Sequence, residues 1–356
     1  MNYYLIVTYE CNLSCKYCGG TKAIEPKEIS YEIETLKNFL DRDEDDLRHI
    51  SFYGGEPLLR PELVEDVMDL GLEKYTIQTN GYFLDSLSRE KLKKFDSVLV
   101  SIDGVPEVTD SMRGEGTYDL VLRKIRRVRS SINNLFARMV VSLGSELYRD
   151  VKHLLGLGVF DYVHWQIDFE LIWRDSPYSD VEIRNFFRKY ECDLKRLIDF
   201  WISKLEQGEV LGIAPFIGIT RDLLSNRVSG MRCGSGEDFY AISTDGGIYP
   251  CPEMTHLPNW RIGEISSSNP SDLPKIKVGE PCISCSLRDT CGGRCLYLNI
   301  YRERTGVGFE LCCSSTRTMI ERLRKYIPKL KELISSGVIS TKDFSVDLRN
   351  GCEVIP

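Results

Sequence analysis

Tyr4-Leu5-Ile6-Val7-Thr8-Tyr9-Glu10-Cys11-Asn12-Leu13-Ser14-Cys15-Lys16-Tyr17-Cys18 runs from an apolar, β-branched strand signal straight into three cysteines spaced CxxxCxxC. Three thiolates bunched in one short loop let the local chain wrap a single metal centre. A cubane iron–sulfur cluster takes four cysteine thiolates, one per iron, so three leave one iron with a vacant position. Metal sites that perform chemistry keep such a position open, whereas structural ones close it. A zinc knuckle is the bland alternative, but it needs a fourth ligand nearby and this stretch offers none.

Outward from that strand, short β-rich runs alternate with segments of helical period, which predicts a parallel α/β architecture. The expected strands are Tyr4–Thr8, His49–Tyr53, Tyr75–Gln78, Ser97–Ile102, Ala137–Ser142 and Tyr162–Asp168. Helices are expected from Ser30 to a charged end at Asp41–Asp46, and near Pro61–Leu72, Ser88–Phe95, Tyr118–Ser131 and Leu147–Leu157. Six such β/α units suit an open, partial (β/α)6 version of the TIM barrel, whose chemistry sits at the C-terminal strand ends. The sharp motifs agree with that placement. Cys11 follows the first strand, Gly54-Gly55-Glu56-Pro57 the second, Thr79-Asn80-Gly81 the third and Ser101-Ile102-Asp103-Gly104 the fourth. Beyond the sixth strand a long helix is expected over Asp180–Glu206, then a Gly- and Pro-marked stretch, a polar bridge over Thr220–Arg232, a cysteine-dense region, an amphipathic helix over Ser315–Ser335 and a tail.

Composition bounds the function. The 356 residues suffice for one large domain plus a smaller one. The net charge of −7, from 46 basic and 53 acidic side chains, gives no support for bulk nucleic-acid binding. No apolar run approaches the roughly 20 residues that span a bilayer, and the first residues do not make a signal peptide. A cytoplasmic location is expected. There, thirteen cysteines are ligands rather than disulfides.

The CxxxCxxC loop with Gly54-Gly55-Glu56-Pro57 behind it resembles the radical S-adenosylmethionine (radical SAM) superfamily. The resemblance implies that Cys11, Cys15 and Cys18 hold a [4Fe-4S] cluster whose open iron chelates S-adenosyl-L-methionine. It implies that Tyr17 shields the site and contacts the nucleoside, and that Gly54, Gly55, Glu56 and Pro57 form the GGEP segment at the methionine amino group. Ser101, Asp103 and Asn80 fall where relatives carry polar groups for the ribose and carboxylate, and Arg113 where a loop approaches the carboxylate. Each of those four can equally be a turn residue satisfying its own backbone. Gln166 and Asp168 are weaker candidates for a substrate role. The implied chemistry is reductive homolysis of the cosubstrate to methionine and a 5′-deoxyadenosyl radical, which takes a hydrogen atom from the substrate.

A second cysteine series follows: Cys233, Cys251, then Cys282-x2-Cys285-x5-Cys291-x3-Cys295, then Cys312-Cys313. It resembles the SPASM extension, which holds two auxiliary [4Fe-4S] clusters; a zinc ribbon would leave half of these cysteines idle. The resemblance implies Cys233, Cys251 and Cys295 on the first auxiliary cluster, and Cys282, Cys285, Cys291 with either Cys312 or Cys313 on the second. Relatives with a full set carry a further cysteine shortly before the position of Cys233, where this chain has Arg227 and its neighbours. The first auxiliary cluster is therefore open, or is closed by the spare member of the Cys312–Cys313 pair, by Cys352 or by another ligand. Cys192 reads as an ordinary helix residue. The expected domains are 1–207 (radical SAM partial barrel), 208–232 (bridge), 233–313 (SPASM) and 314–356 (helix and tail).

The function expected from this resemblance is oxidoreductase modification of a carbon in a peptide or small protein, by thioether or C–C crosslinking or by dehydrogenation, as in peptide maturation. Sulfatase-maturing relatives carry an aspartate as general base after the position of Cys251; here Pro252-Glu253 follows, with Glu253 a possible substitute. That reading, a tetrapyrrole-modifying enzyme and a non-catalytic iron–sulfur electron-transfer scaffold are the alternatives. A low-potential donor of the ferredoxin or flavodoxin type is implied; because the cluster motif begins at residue 11, a substrate leader, if there is one, is expected to be bound by a separate leader-binding protein or directly by the barrel rim. The run Arg123, Lys124, Arg126, Arg127, Arg129 reads as the solvated face of a barrel helix, with docking of an acidic partner as its alternative.

Overall fold

The structure, a computed structural model, describes residues 1–19, 24–45, 47–173, 175–344 and 355–356. The expected helix end at Asp46 and the candidate ligand Cys352 lie outside those residues. In chain order the elements are β1 (Asn2–Thr8), α1 (Ile33–Leu40), β2 (His49–Gly54), α2 (Pro61–Met68), β3 (Lys74–Thr79), α3 (Arg89–Lys93), β4 (Ser97–Ser101), α4 (Pro106–Arg113), α5 (Thr117–Val128), β5 (Leu135–Val141), α6 (Leu147–Gly156), β6 (Tyr162–Ile167), α7 (Asp180–Leu205) and α8 (Ala214–Ser225). The cysteine-rich part adds β7 (Phe239–Ile242), β8 (Gly247–Tyr249), β9 (Gly263–Glu264), α9 (Arg288–Cys291), α10 (Leu296–Ile300) and α11 (Gly308–Ser335). The alternation of β1 to β6 with helices is that of an open, partial (β/α) barrel.

Two compact units make up the chain, and they do not follow sequence order. One comprises Met1–Ser101, Arg113–Phe136 and Cys233–Lys277; the other Ile102–Met112, Ala137–Arg232 and Val278–Pro356. In the first unit the strand order is β4-β3-β2-β1-β7-β8-β9. Strands β4 to β1 and β7 are parallel, with Asn2 opposite His49 on one side and Phe239 on the other, while β8 and β9 turn back antiparallel. Every residue of β1 is buried, as a parallel strand covered on both faces requires. Around it Tyr4 stacks on Phe239 at 4.1 Å, and His49 bridges Asn2 and Thr76 at 3.1 and 3.0 Å, satisfying polar groups that the sheet takes out of water. Helix α1 covers the sheet through buried Leu36, Phe39 and Leu40.

In the second unit, α7 opens with a capping box in which Ser179 and Glu182 satisfy each other's backbone N–H groups. Trp165 of β6 is fully buried and donates to the Tyr190 hydroxyl of α7 at 2.9 Å. Helix α11 packs on both α7 and α8. The expected bridge holds α8 instead of open chain. Pro215 sits in its first turn, where a missing N–H costs nothing, and Phe216, Ile217 and Ile219 are buried. The C-terminal helix begins at Gly308, seven residues before the expected start, so the adjacent cysteines are helical.

Candidate active site

Parallel strands present their C-terminal ends at one edge, and in the first unit that edge gathers the motif residues. Cys11, Cys15 and Cys18 occupy the loop leaving β1; Cys11 and Cys18 are exposed and Cys15 is half-buried. The loop is folded by its own groups: the Cys18 N–H donates to the Cys15 carbonyl at 3.1 Å, and the Leu13 N–H to the Cys11 sulfur at 3.4 Å.

Gly54 and Gly55, at the end of β2, press against the root of this loop. The Gly55 and Glu56 N–H groups donate to the carbonyls of Thr8 and Glu10, both at 2.8 Å. A β-carbon on Gly54 would lie 2.3 Å from the Thr8 oxygen, and one on Gly55 would lie 2.1 Å from the Glu10 oxygen. Gly54 also has a φ of +133°, so only glycine fits there. The close approach these glycines permit is to the backbone that enters the cysteine loop. Pro57 then starts a short 3-10 turn, in which Glu56 caps the Leu58 N–H at 2.9 Å.

Glu56 is fully buried and reaches across to β3. It accepts from the Thr79 hydroxyl at 2.7 Å and from the Asn80 N–H at 2.6 Å. Burial pushes its carboxyl up to about 7, against the pull of those three donors. Asn80 extends the relay: its side-chain amide lies 2.8 Å from the Asn12 oxygen and 3.8 Å from the Cys11 sulfur. The residue that follows the third strand thus reaches the first cysteine of the loop. Arg113, nearly buried, places its guanidinium 5.4 Å from the Tyr17 ring centre, a cation–π contact across the same loop. Ser101 ends β4 as a nearly buried residue.

Asp103 belongs to the second unit, where its buried carboxylate accepts the Val140 N–H at 2.9 Å. There too, Asp168 is held by the Ser142 hydroxyl at 2.5 Å and caps the Glu170 N–H at 2.9 Å. Both carboxylates therefore carry structural bonds. Glu253 lies exposed in a 3-10 turn after buried Cys251. On α5, Lys124 and Arg127 both pair with Asp85, while Arg123 and Arg126 are exposed.

The later cysteines divide between the units. Cys233 and Cys251 lie in the first, with the Cys233 sulfur 3.2 Å from the Ser235 hydroxyl. Cys282, Cys285, Cys291, Cys295, Cys312 and Cys313 lie in the second. Successive helical residues point about 100° apart, and the Cys312–Cys313 pair shows it: Cys312 is 2% exposed, whereas Cys313 is exposed. The electrostatic neighbours of Cys313 include Cys282 and Cys291, and those of Cys282 include Cys285 and Cys291. Arg294 is a charged neighbour of both Cys312 and Cys313, but among the described residues no other cysteine contributes to the shift of the Cys312 thiol. The segment leading to Cys233 is tied to α9: the Ser229 N–H donates to the Asp289 carbonyl at 2.7 Å, and Arg232 bridges Asp222 and the Thr290 carbonyl beside Cys291. Arg227 is exposed beyond the end of α8.

Two residues of this region escaped sequence reading. Arg294 adopts a φ of +57° and donates to the Pro356 carbonyl at 2.7 Å, which docks the chain end. Asn299 is buried, with its side-chain amide 3.4 Å from the Cys282 sulfur. Its one signal is being the single amide in the apolar run Leu296-Tyr-Leu-Asn-Ile300.

Soft thiolates at three positions, with no histidine in the motif, form a donor set suited to an iron–sulfur cluster. Comparison with known proteins agrees with this chemistry. The model of the radical SAM superfamily matches residues 5–157, and the chain belongs to that superfamily as an enzyme of the SPASM-bearing kind. It is similar to the cysteine-type anaerobic sulfatase-maturating enzyme of Clostridium perfringens, at 27% identity over 87% of this chain and 92% of that one. It is also similar to the mycofactocin maturase of Mycobacterium tuberculosis, at 24% identity over 82% of this chain and 76% of the relative. Its fold matches the structure of anSMEcpe with bound AdoMet and a peptide, Cp18Cys, with a TM-score of 0.72 over 94% of this chain and 99% of the other, at 22% identity. The cofactors of this enzyme are accordingly a [4Fe-4S] cluster and S-adenosylmethionine, with auxiliary clusters in the SPASM part.

Proposed function

We propose that this enzyme modifies a carbon of a peptide or small-protein substrate, forming a thioether or C–C crosslink or a dehydrogenated residue. The observation that carries the radical step is the relay Glu56–Asn80–Cys11, which holds a three-thiol loop at the strand ends. When bound, the cluster and S-adenosylmethionine supply the hydrogen-abstracting 5′-deoxyadenosyl radical. Cys11, Cys15 and Cys18 would hold that cluster, Gly54 and Gly55 fix the backbone entering their loop, and Tyr17 under Arg113 screens it from water. Cys282, Cys285, Cys291 and Cys313 would hold the second auxiliary cluster, with Cys313 favoured over Cys312 by its neighbours. Electrons would come from a ferredoxin- or flavodoxin-type donor.

The peptide class is supported by the relatives: maturases in name, and in one solved case a complex with a peptide. Sulfatase maturation remains a second reading, favoured by the match over 92% of the Clostridium perfringens enzyme and resting on exposed Glu253 as base. Crosslinking and dehydrogenation each remove two hydrogen atoms from the substrate. The test is co-expression with short cysteine-containing peptides encoded beside the gene, followed by mass spectrometry. The reading expects a peptide lighter by two hydrogens, absent with the Cys15→Ala enzyme; unaltered peptides beside an active enzyme would overturn it.

A further inference from the structure

Asn299 lies on α10, four residues after Cys295, and is 1% exposed. Such a buried carboxamide needs partners for both of its ends, and the loop carrying Cys282 provides them all. The Asn299 oxygen accepts the Gly279 N–H at 2.6 Å. Its amide nitrogen lies 3.2 Å from the Gly279 carbonyl, 3.4 Å from the Cys282 sulfur and 3.5 Å from the Glu280 carbonyl. The loop closes on itself as the Cys282 N–H donates to the Gly279 carbonyl at 3.1 Å. One side chain thus clamps both polar groups of Gly279 and points an N–H at a thiol.

We propose that Asn299 is a positioning residue that sets the reduction potential of the second auxiliary cluster by donating its side-chain N–H to the Cys282 sulfur. The proposal rests on the assignment of Cys282 to that cluster under Proposed function. A reduced cluster carries one more negative charge on its sulfurs, so a donor aimed at a ligand sulfur favours reduction and raises the potential. Burial strengthens the effect, because water does not screen the bond or replace it. The carboxamide also fixes the Cys282 loop against α10, the helix that follows Cys295, so its two roles share one geometry.

The test is Asn299→Leu, which keeps size and shape but removes every donor and acceptor. Iron per chain and the midpoint of each cluster are measured by EPR-monitored redox titration in the full, reconstituted chain. The expected result is unchanged iron, with one auxiliary signal shifted to more negative potential and the others unmoved. Unchanged iron with all midpoints unmoved would overturn the proposal. Should Asn299→Leu lose iron, the decision passes to the Cys15→Ala chain, which lacks the first cluster and its Asn80 contact, grown with 15N-asparagine. Pulse EPR of its reduced auxiliary signals then shows a 15N coupling if Asn299 donates, and its absence refutes the bond. Iron that does not fall from the wild-type level by about four per chain in Cys282→Ala would instead remove the ligation itself, a failure separable from the first two.

Discussion

Glu56 accepts the Asn80 backbone N–H at 2.6 Å, and this bond ties the end of β2 to the end of β3 directly behind the Cys11 sulfur. The carboxylate is wholly buried, so the bond links the protonation of one acid to the integrity of the cysteine loop.

The folded-state pKa of Glu56, about 7, lies above its ordinary value of 4.5 because burial outweighs its donors. The folded chain then holds a proton that the unfolded chain releases, so stability falls as pH rises from about 4.5 to about 7. We predict that the metal-free chain loses on the order of 2–3 kcal/mol between pH 5 and pH 8 from this group. Urea denaturation at several pH values measures it. Glu56→Gln should flatten that part of the profile; an equal slope in the variant would assign the loss to other groups.

Gly55→Ala should cost about 3 kcal/mol, because its methyl would meet the Glu10 carbonyl at 2.1 Å and the backbone on both sides must shift. Thermal denaturation measures the loss, and iron loading at the first cluster should fall with it. Gly71→Ala, where a β-carbon meets nothing within 4 Å but the φ of +73° is strained, should cost about 1 kcal/mol.

Cys312→Ala and Cys313→Ala should separate cleanly, although the two residues are neighbours in α11. Loss of Cys313 removes a thiol whose electrostatic neighbours include Cys282 and Cys291, so iron should drop by about four per chain. Loss of buried Cys312 should leave iron intact and lower stability by about 1 kcal/mol through a small cavity. Iron analysis beside a melting curve distinguishes them, and the opposite pattern would reverse the assignment.

Much of the barrel was legible because buried parallel strands are short continuous apolar runs: Tyr4–Thr8 and Ser97–Ile102 read directly as β1 and β4. The three-cysteine loop was legible because its ligands are local in sequence. What escaped depends on contacts between distant segments. Nothing in Phe239–Ile242 announces that it pairs with β1, since any short β-rich run has the same composition. Helix α8 was hidden by Gly212, Pro215 and Gly218, which read as loop until Pro215 is placed in a first helical turn. For Gly54 and Gly55 the requirement for glycine was readable, but the backbone that they touch was not. Asn299 could not be connected to Cys282 from sequence, because an amide in an apolar run shows only that it needs a partner.

The central claim is that the loop of Cys11, Cys15 and Cys18 supports reductive cleavage of S-adenosylmethionine. Chromatography of 5′-deoxyadenosine from anaerobically reconstituted protein, given S-adenosylmethionine and dithionite, tests it most directly. We predict release by the wild-type chain and none by Cys15→Ala, while the auxiliary irons of the variant remain. Equal release by both proteins, or none by the fully iron-loaded wild type, would contradict the account.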